Sequence, residues 1–169
     1  MRYLRTSLIV LLLAAHGSVA LAEGSLKAKL LGAWRLTSYL AESPNAETIY
    51  PLGPDAIGYI MYTTDGHMSA AVMRSTRTKF SSNDMMGGTP EEFAVAAAGY
   101  LSYAGTFDVD EANGVVVHHI KAALIPNWVG NDFKRKVILD GDQLELRGLA
   151  PSLVGGEKRV VRVVWERSR

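Results

Sequence analysis

Apolar and polar residues alternate along most of this chain in short runs, with turn residues between them. From Ala33 to Leu40 (AWRLTSYL), apolar Trp34 and Leu36 interleave with polar Arg35 and Thr37. This is the period-two pattern of a strand with one buried face. Ala56–Thr63 (AIGYIMYT) predicts a second strand, Thr64-Asp65-Gly66 a tight hairpin turn, and His67–Met73 the returning strand. Further strand signals cover residues 100–109, 114–120, 132–139, 143–146 and 158–166. Glu111-Ala112-Asn113-Gly114 and Asp140-Gly141-Asp142 supply turns between them.

One helix interrupts the series. Thr89 is placed to cap free backbone amides, Pro90 suits the first helical position, and Glu92 completes a capping box. Phe93–Ala98 propagates the helix and Gly99 stops it. A helix this short is marginal alone, so it is expected to lie against a sheet or close an opening. Eight antiparallel strands with mostly local connections suit a small up-and-down barrel, whose closure removes exposed edges. An open sandwich draws on similar signals.

The amino terminus breaks the alternation. Arg2 and Arg5 precede the apolar run Leu8–Ala15, and Ala20-Leu21-Ala22 places small residues where a signal peptidase needs them. The pattern is that of a cleaved secretory signal, too short for a membrane span of roughly 20 apolar residues. Residues 1–22 are therefore expected to be removed, leaving residues 23–169 as a single periplasmic or secreted domain. No stable transmembrane insertion is expected after cleavage. Cleavage removes two of the 18 basic residues that face 17 acidic ones, so the whole-chain pI near 8.0 misleads. A nearly neutral mature chain has no general attraction to nucleic acid or acidic membranes. No cysteine is present, which excludes a disulfide framework and thiol chemistry, so stability has to come from packing.

Candidate chemistry is sparse. Tyr59 and Tyr62 fall on opposite faces of their strand, as do Tyr100 and Tyr103 of theirs, so one from each pair lines an interior. A phenol there needs a hydrogen-bond partner, which Asn127, Arg135, and His118 or His119 can supply. The two histidines also point to opposite faces, and both faces of their strand carry apolar residues, so the pattern leaves open which one is inside. Adjacent histidines without acidic residues at ligand spacing do not make a metal site, and none is expected. Pro126-Asn127-Trp128 reads either as a packed loop or as a ligand contact. Arg74–Phe80 carries three positive charges, for anion steering or for solubility, and Met85-Met86-Gly87-Gly88 reads as an adaptable flap. No phosphate loop, dinucleotide fingerprint or Gly-x-Ser-x-Gly element occurs, so no cofactor is expected.

Several segments in order resemble the lipocalin-like domain family. They are Leu31–Leu36, Gly58–Ser69, Tyr103–Phe107, Val117–Ile120, Pro126–Gly130 and Val164–Arg167. The resemblance implies an all-β fold: an eight-stranded antiparallel up-and-down lipocalin-like barrel with one short helix and a potential internal cavity. It further implies that Trp34 packs near the barrel floor against a basic residue of the last strand, Arg162 or Arg167. Unlike classical secreted lipocalins, this chain has no disulfide. Three functions remain open on these grounds. The leading one is an exported binding protein for a small apolar or amphipathic molecule with a polar head group. Its candidate contacts are Tyr59, Tyr62, Tyr103, His118, His119, Asn127, Trp128 and Arg135. The others are an isomerase, cyclase or lyase acting on a hydrophobic metabolite, and a structural or partner-binding barrel. Ligand identity and oligomeric state are not written in these patterns.

Overall fold

The alternation closes on itself. A computed structural model describes residues 24–169; the expected signal, residues 1–22, lies outside the described residues. The strands are β1 (Gly32–Ser43), β2 (Ala46–Ile49), β3 (Ile57–Tyr62), β4 (His67–Met73) and β5 (Tyr100–Asp110). They continue with β6 (Val115–Ala123), β7 (Asp132–Asp140), β8 (Gln143–Gly148), β9 (Ser152–Val154) and β10 (Glu157–Arg167). Antiparallel pairing runs β1-β3-β4-β5-β6-β7-β8-β10, and β10 returns to β1 from Trp34↔Arg167 to Glu42↔Val160. This is a barrel of the eight expected strands, and the closure excludes the open sandwich. The short β2 and β9 extend β1 and β10 at one end. Among the described residues no helix is long and apolar enough to cross a membrane.

The two poles differ because the connections differ. Tight turns at residues 63–66, 111–114 and 141–142 gather at one pole, where Gly66 adopts φ +86°, a left-handed conformation that favours glycine. The longer connections, residues 44–56, 74–99, 124–131 and 149–156, gather at the other.

A short helix, α1 (Leu26–Leu30), plugs the tight-turn pole. Five residues cannot hold a helix alone, and here tertiary contacts supply the stability. Leu30 is fully buried, and Trp34 Nε1–H donates to its carbonyl at 2.8 Å. The Arg167 guanidinium lies 4.0 Å from the Trp34 ring centre and donates to the Leu31 and Lys29 carbonyls at 3.0 and 2.7 Å. At the other end of α1 the Glu111 carboxylate accepts from the Leu26 and Lys27 amides at 2.7 and 2.9 Å. Arg167 is thus the basic residue of the floor, whereas Arg162 pairs with Glu145 at 2.9 Å. Above the plug, Ile60, Tyr62, Met68, Phe107, Val116 and Leu144 fill the lower barrel with almost no exposure.

The predicted helix is α2 (Pro90–Ala98). Its capping box is complete: Thr89 Oγ1 accepts from the Glu92 amide at 3.2 Å, and the Glu92 carboxylate accepts from the Thr89 amide at 2.8 Å. None of its residues is buried. It rests beside the start of β5 through Arg77, which donates to the Ala96 carbonyl and lies over the Tyr100 ring.

Candidate functional site

A bulge in β1 builds one wall of the upper barrel. Leu36 pairs with Trp165 while Ser38 pairs with Val164, leaving Thr37 as an extra residue. An inserted residue reverses which side chains face inward. Trp34 and Leu36 point into the core before it, and Tyr39 and Ala41 do so after it. On β7, Phe133, Arg135, Val137 and Leu139 form the covered face, alternating with exposed Lys134, Lys136 and Ile138.

Between these walls lies a cavity of about 190 Å³. Its aromatic lining is Tyr39, Tyr103, Trp128, Phe133 and Trp165; Ala70, Val72, Leu101, Leu146, Val161 and Val163 supply aliphatic surface. Ser152, Leu153 and Val154 of β9 form part of the wall at the long-loop pole. Trp128 reaches the lining from a single 3-10 turn, Pro126–Trp128. Backbone bonds from Gly130 to Ile120 (2.9 Å) and from Ile120 to Asn131 (3.0 Å) pin that loop to β6. Tyr103, Trp128 and Phe133 then pack edge to face, with ring centres 5.1 to 6.1 Å apart.

One lining residue, Tyr103, joins a buried polar cluster behind the cavity wall. His118 is fully buried on β6, beside Phe107 of β5 and Phe133 of β7. Its Nε2 lies 2.8 Å from the Tyr62 hydroxyl and its Nδ1 lies 3.2 Å from the Tyr103 hydroxyl. Burial, reinforced by the Arg135 charge, pushes its pKa down to about 3, so the ring is neutral at ordinary pH. Burial also pushes the Tyr62 phenol well up, and the Tyr103 and Tyr39 phenols up, against the opposing pull of Arg135. Arg135 makes no ion pair among the described residues; its guanidinium lies over Phe133 at 5.1 Å and donates to the Lys134 carbonyl at 3.3 Å.

The structure brings Tyr62, Tyr103, His118, Trp128 and Arg135 together and leaves three other predicted residues outside. Tyr59 is half exposed on the outer face of β3, beside Arg35. Asn127 is exposed in the 3-10 turn, where its carbonyl accepts from Asn131 Nδ2 at 2.7 Å. His119 faces outward, its Nδ1 2.7 Å from Asp132 and its Nε2 3.1 Å from Asp108. Those bonds raise its pKa, with the Asp132 bond as the largest cause. The acidic partners stand on β5 and β7, so spacing within β6 gave no sign of them. Both ring nitrogens are occupied, and among the described residues no group of three or more His, Cys, Asp or Glu is placed to hold a metal ion. Met85 and Met86 are exposed and do not line the cavity.

Two contributors escaped the sequence reading. Tyr39 reaches the cavity only because of the bulge, for which the regular alternation of β1 gives no signal. Strand β9 is three residues long and sits in what reads as a turn-rich connection.

Comparison with known proteins adds three findings. A curated protein of Aspergillus oryzae, named as a 4'-hydroxy-3'-methoxypropiophenone carrier protein, is 33% identical over 106 residues, covering 59% of this chain and 96% of its own length. A solved structure of a redesigned β-barrel matches with a TM-score of 0.42 at 10% identity, over 86% of this chain and 96% of that one. The model of the lipocalin-like domain matches residues 31–168, which takes in the whole barrel and its cavity, and the chain belongs to that family.

Proposed function

We propose that this protein is an exported carrier that reversibly binds one small hydrophobic molecule with an oxygen-bearing head group in the upper barrel. The observation that carries the reading is the cavity itself: a mostly apolar, aromatic-walled space lined by only a few polar groups. The relative named as carrier of an aryl ketone supports the same class of cargo. Burial of apolar ligand surface supplies most of the affinity, at roughly 25 cal/mol per Å² before ordering costs. Arg135 and Tyr103 orient the head group. The signal-like residues 1–22 support export.

The catalytic reading fits less well. Proton transfer near neutral pH needs a group whose pKa lies close to it. Burial moves His118 and both inner phenols away from that range, in the directions that keep them uncharged. Such groups hold a ligand better than they exchange protons with it.

The test is calorimetric titration of the mature protein with 2-acetylnaphthalene, alongside a Val163→Phe variant that fills the cavity. Saturable one-to-one binding is expected, weakened at least roughly tenfold by the added ring, with far-ultraviolet circular dichroism unchanged. Equal affinity in the filled variant, or no binding by either protein to any aryl probe, would end this reading.

A further inference from the structure

A line of hydrogen bonds runs from the core to the cavity through Tyr62, His118 and Tyr103. Its direction decides which ligand oxygen the site accepts. A neutral imidazole has one N–H and one lone pair, so one phenol donates to the ring and the other accepts from it. Tyr62 is 2% exposed and packs edge-on against Phe107 at 4.8 Å. Among the described residues, His118 Nε2 is the only hydrogen-bond partner of its hydroxyl. If Tyr62 accepted from Nε2, its own proton would be stranded in apolar surroundings, an expensive arrangement. Tyr62 therefore donates to Nε2, and Nδ1–H donates to Tyr103. The proton of Tyr103 is left for the cavity that Tyr103 lines.

Two neighbours on the cavity wall bias it the same way. Arg135 has only N–H groups to offer and no carboxylate partner among the described residues. Trp165 has a buried Nε1–H without a protein partner among them. The Tyr39 and Ser152 hydroxyls are the other side-chain groups of the wall able to accept as well as donate.

We propose that Tyr62 and His118 are positioning residues that fix Tyr103 as a hydrogen-bond donor into the cavity, so that the site selects aromatic ligands presenting a hydrogen-free oxygen, an aryl ketone or aryl carboxylate. The proposal rests on the cavity being a ligand site, and its test separates the two. The first measurement needs no ligand: long-range 1H–15N NMR of histidine-labelled protein reads the His118 tautomer. Protonated Nδ1 with bare Nε2 is expected; protonated Nε2 overturns the proposal whatever the cavity binds.

The second measurement compares 2-acetylnaphthalene and 2-naphthoate with 2-ethylnaphthalene, which matches the ketone in size but lacks oxygen. At least one oxygen-bearing probe is expected to bind roughly tenfold tighter than the hydrocarbon. In Tyr62→Phe, which alters no cavity-lining residue, the proton of Tyr103 can turn back to Nδ1. That preference is then expected to fall several-fold while 2-ethylnaphthalene binds as before. A preference unchanged in Tyr62→Phe overturns the proposal while leaving the carrier reading intact. Hydrocarbon and oxygen-bearing probes binding alike to the unaltered protein overturns the proposal and the oxygen-bearing head group, leaving a carrier of hydrophobic cargo. If no probe binds, the carrier reading fails and the tautomer measurement still decides the relay.

Discussion

His118 and His119 are neighbours in one strand and opposites in chemistry. The inner ring is fully buried between two phenols and held neutral, its pKa near 3. The outer ring sits between Asp108 and Asp132, and those carboxylates raise its pKa. The strand pleat separates the two side chains, and the medium on each side then dictates the charge each one carries. The contrast teaches that an imidazole's role here follows from what the barrel places across from it, not from its position in the chain.

The largest effect expected is on the inner side, in acid. The folded-state pKa of His118 lies below the unfolded value of about 6.5, so the unfolded chain binds the proton first as pH falls. The stability tied to neutral His118 is intact above about pH 6.5 and drains toward pH 3, at up to about 1.4 kcal/mol per unit. Urea unfolding between pH 7 and 4 should show this slope in the unaltered protein and a flatter one in His118→Gln. Equal slopes would mean the inner ring does not titrate as argued.

Next in size is Gly105→Ala, which strikes both histidines through one backbone. Gly105 pairs with Ile120 across a bulge, and a Cβ there would sit 1.9 Å from the His119 carbonyl oxygen. Strands β5 and β6 would have to separate, at a cost of about 3 kcal/mol, readable as a lower denaturation midpoint. A His118→Leu change at pH 8 should cost about 1–3 kcal/mol, because it strands the Tyr62 hydroxyl in the core. Adding Tyr62→Phe should recover part of that loss, since both partners are then apolar.

The smallest effect belongs to the outer ring. His119→Gln removes bonds to two exposed carboxylates and should cost less than about 1 kcal/mol. Because the folded pKa of His119 is raised, its contribution is complete below about pH 6.5 and disappears as pH rises through the raised value. The stability difference between the two proteins should therefore shrink from pH 6 to pH 9, opposite in sign to the acid effect of His118. A gap that widens with pH would contradict the assigned pairing.

Much of the fold was legible because local chemistry and global architecture agree. The turn at Thr64–Gly66 and the capping box at Thr89–Glu92 form as their residues demand. The site was legible in part. The alternation left one tyrosine of each strand for the interior, and Tyr62 and Tyr103 take those places. It did not resolve the histidines, since Val116 and Ile120 on one face of β6 and Val115 and Val117 on the other give both faces an apolar character. Nor did it reach Tyr39, because a bulge changes facing without leaving a mark in residue type.

The sequence alone determined eight strands, their turns and the capped helix. These depend on side-chain periodicity and backbone preference, which are properties of neighbours along the chain. Tertiary structure alone decided which histidine became neutral, which arginine closed the floor, and which phenol was left facing open space. Those outcomes depend on burial and on partners from distant strands, and neither exists until the last strand meets the first.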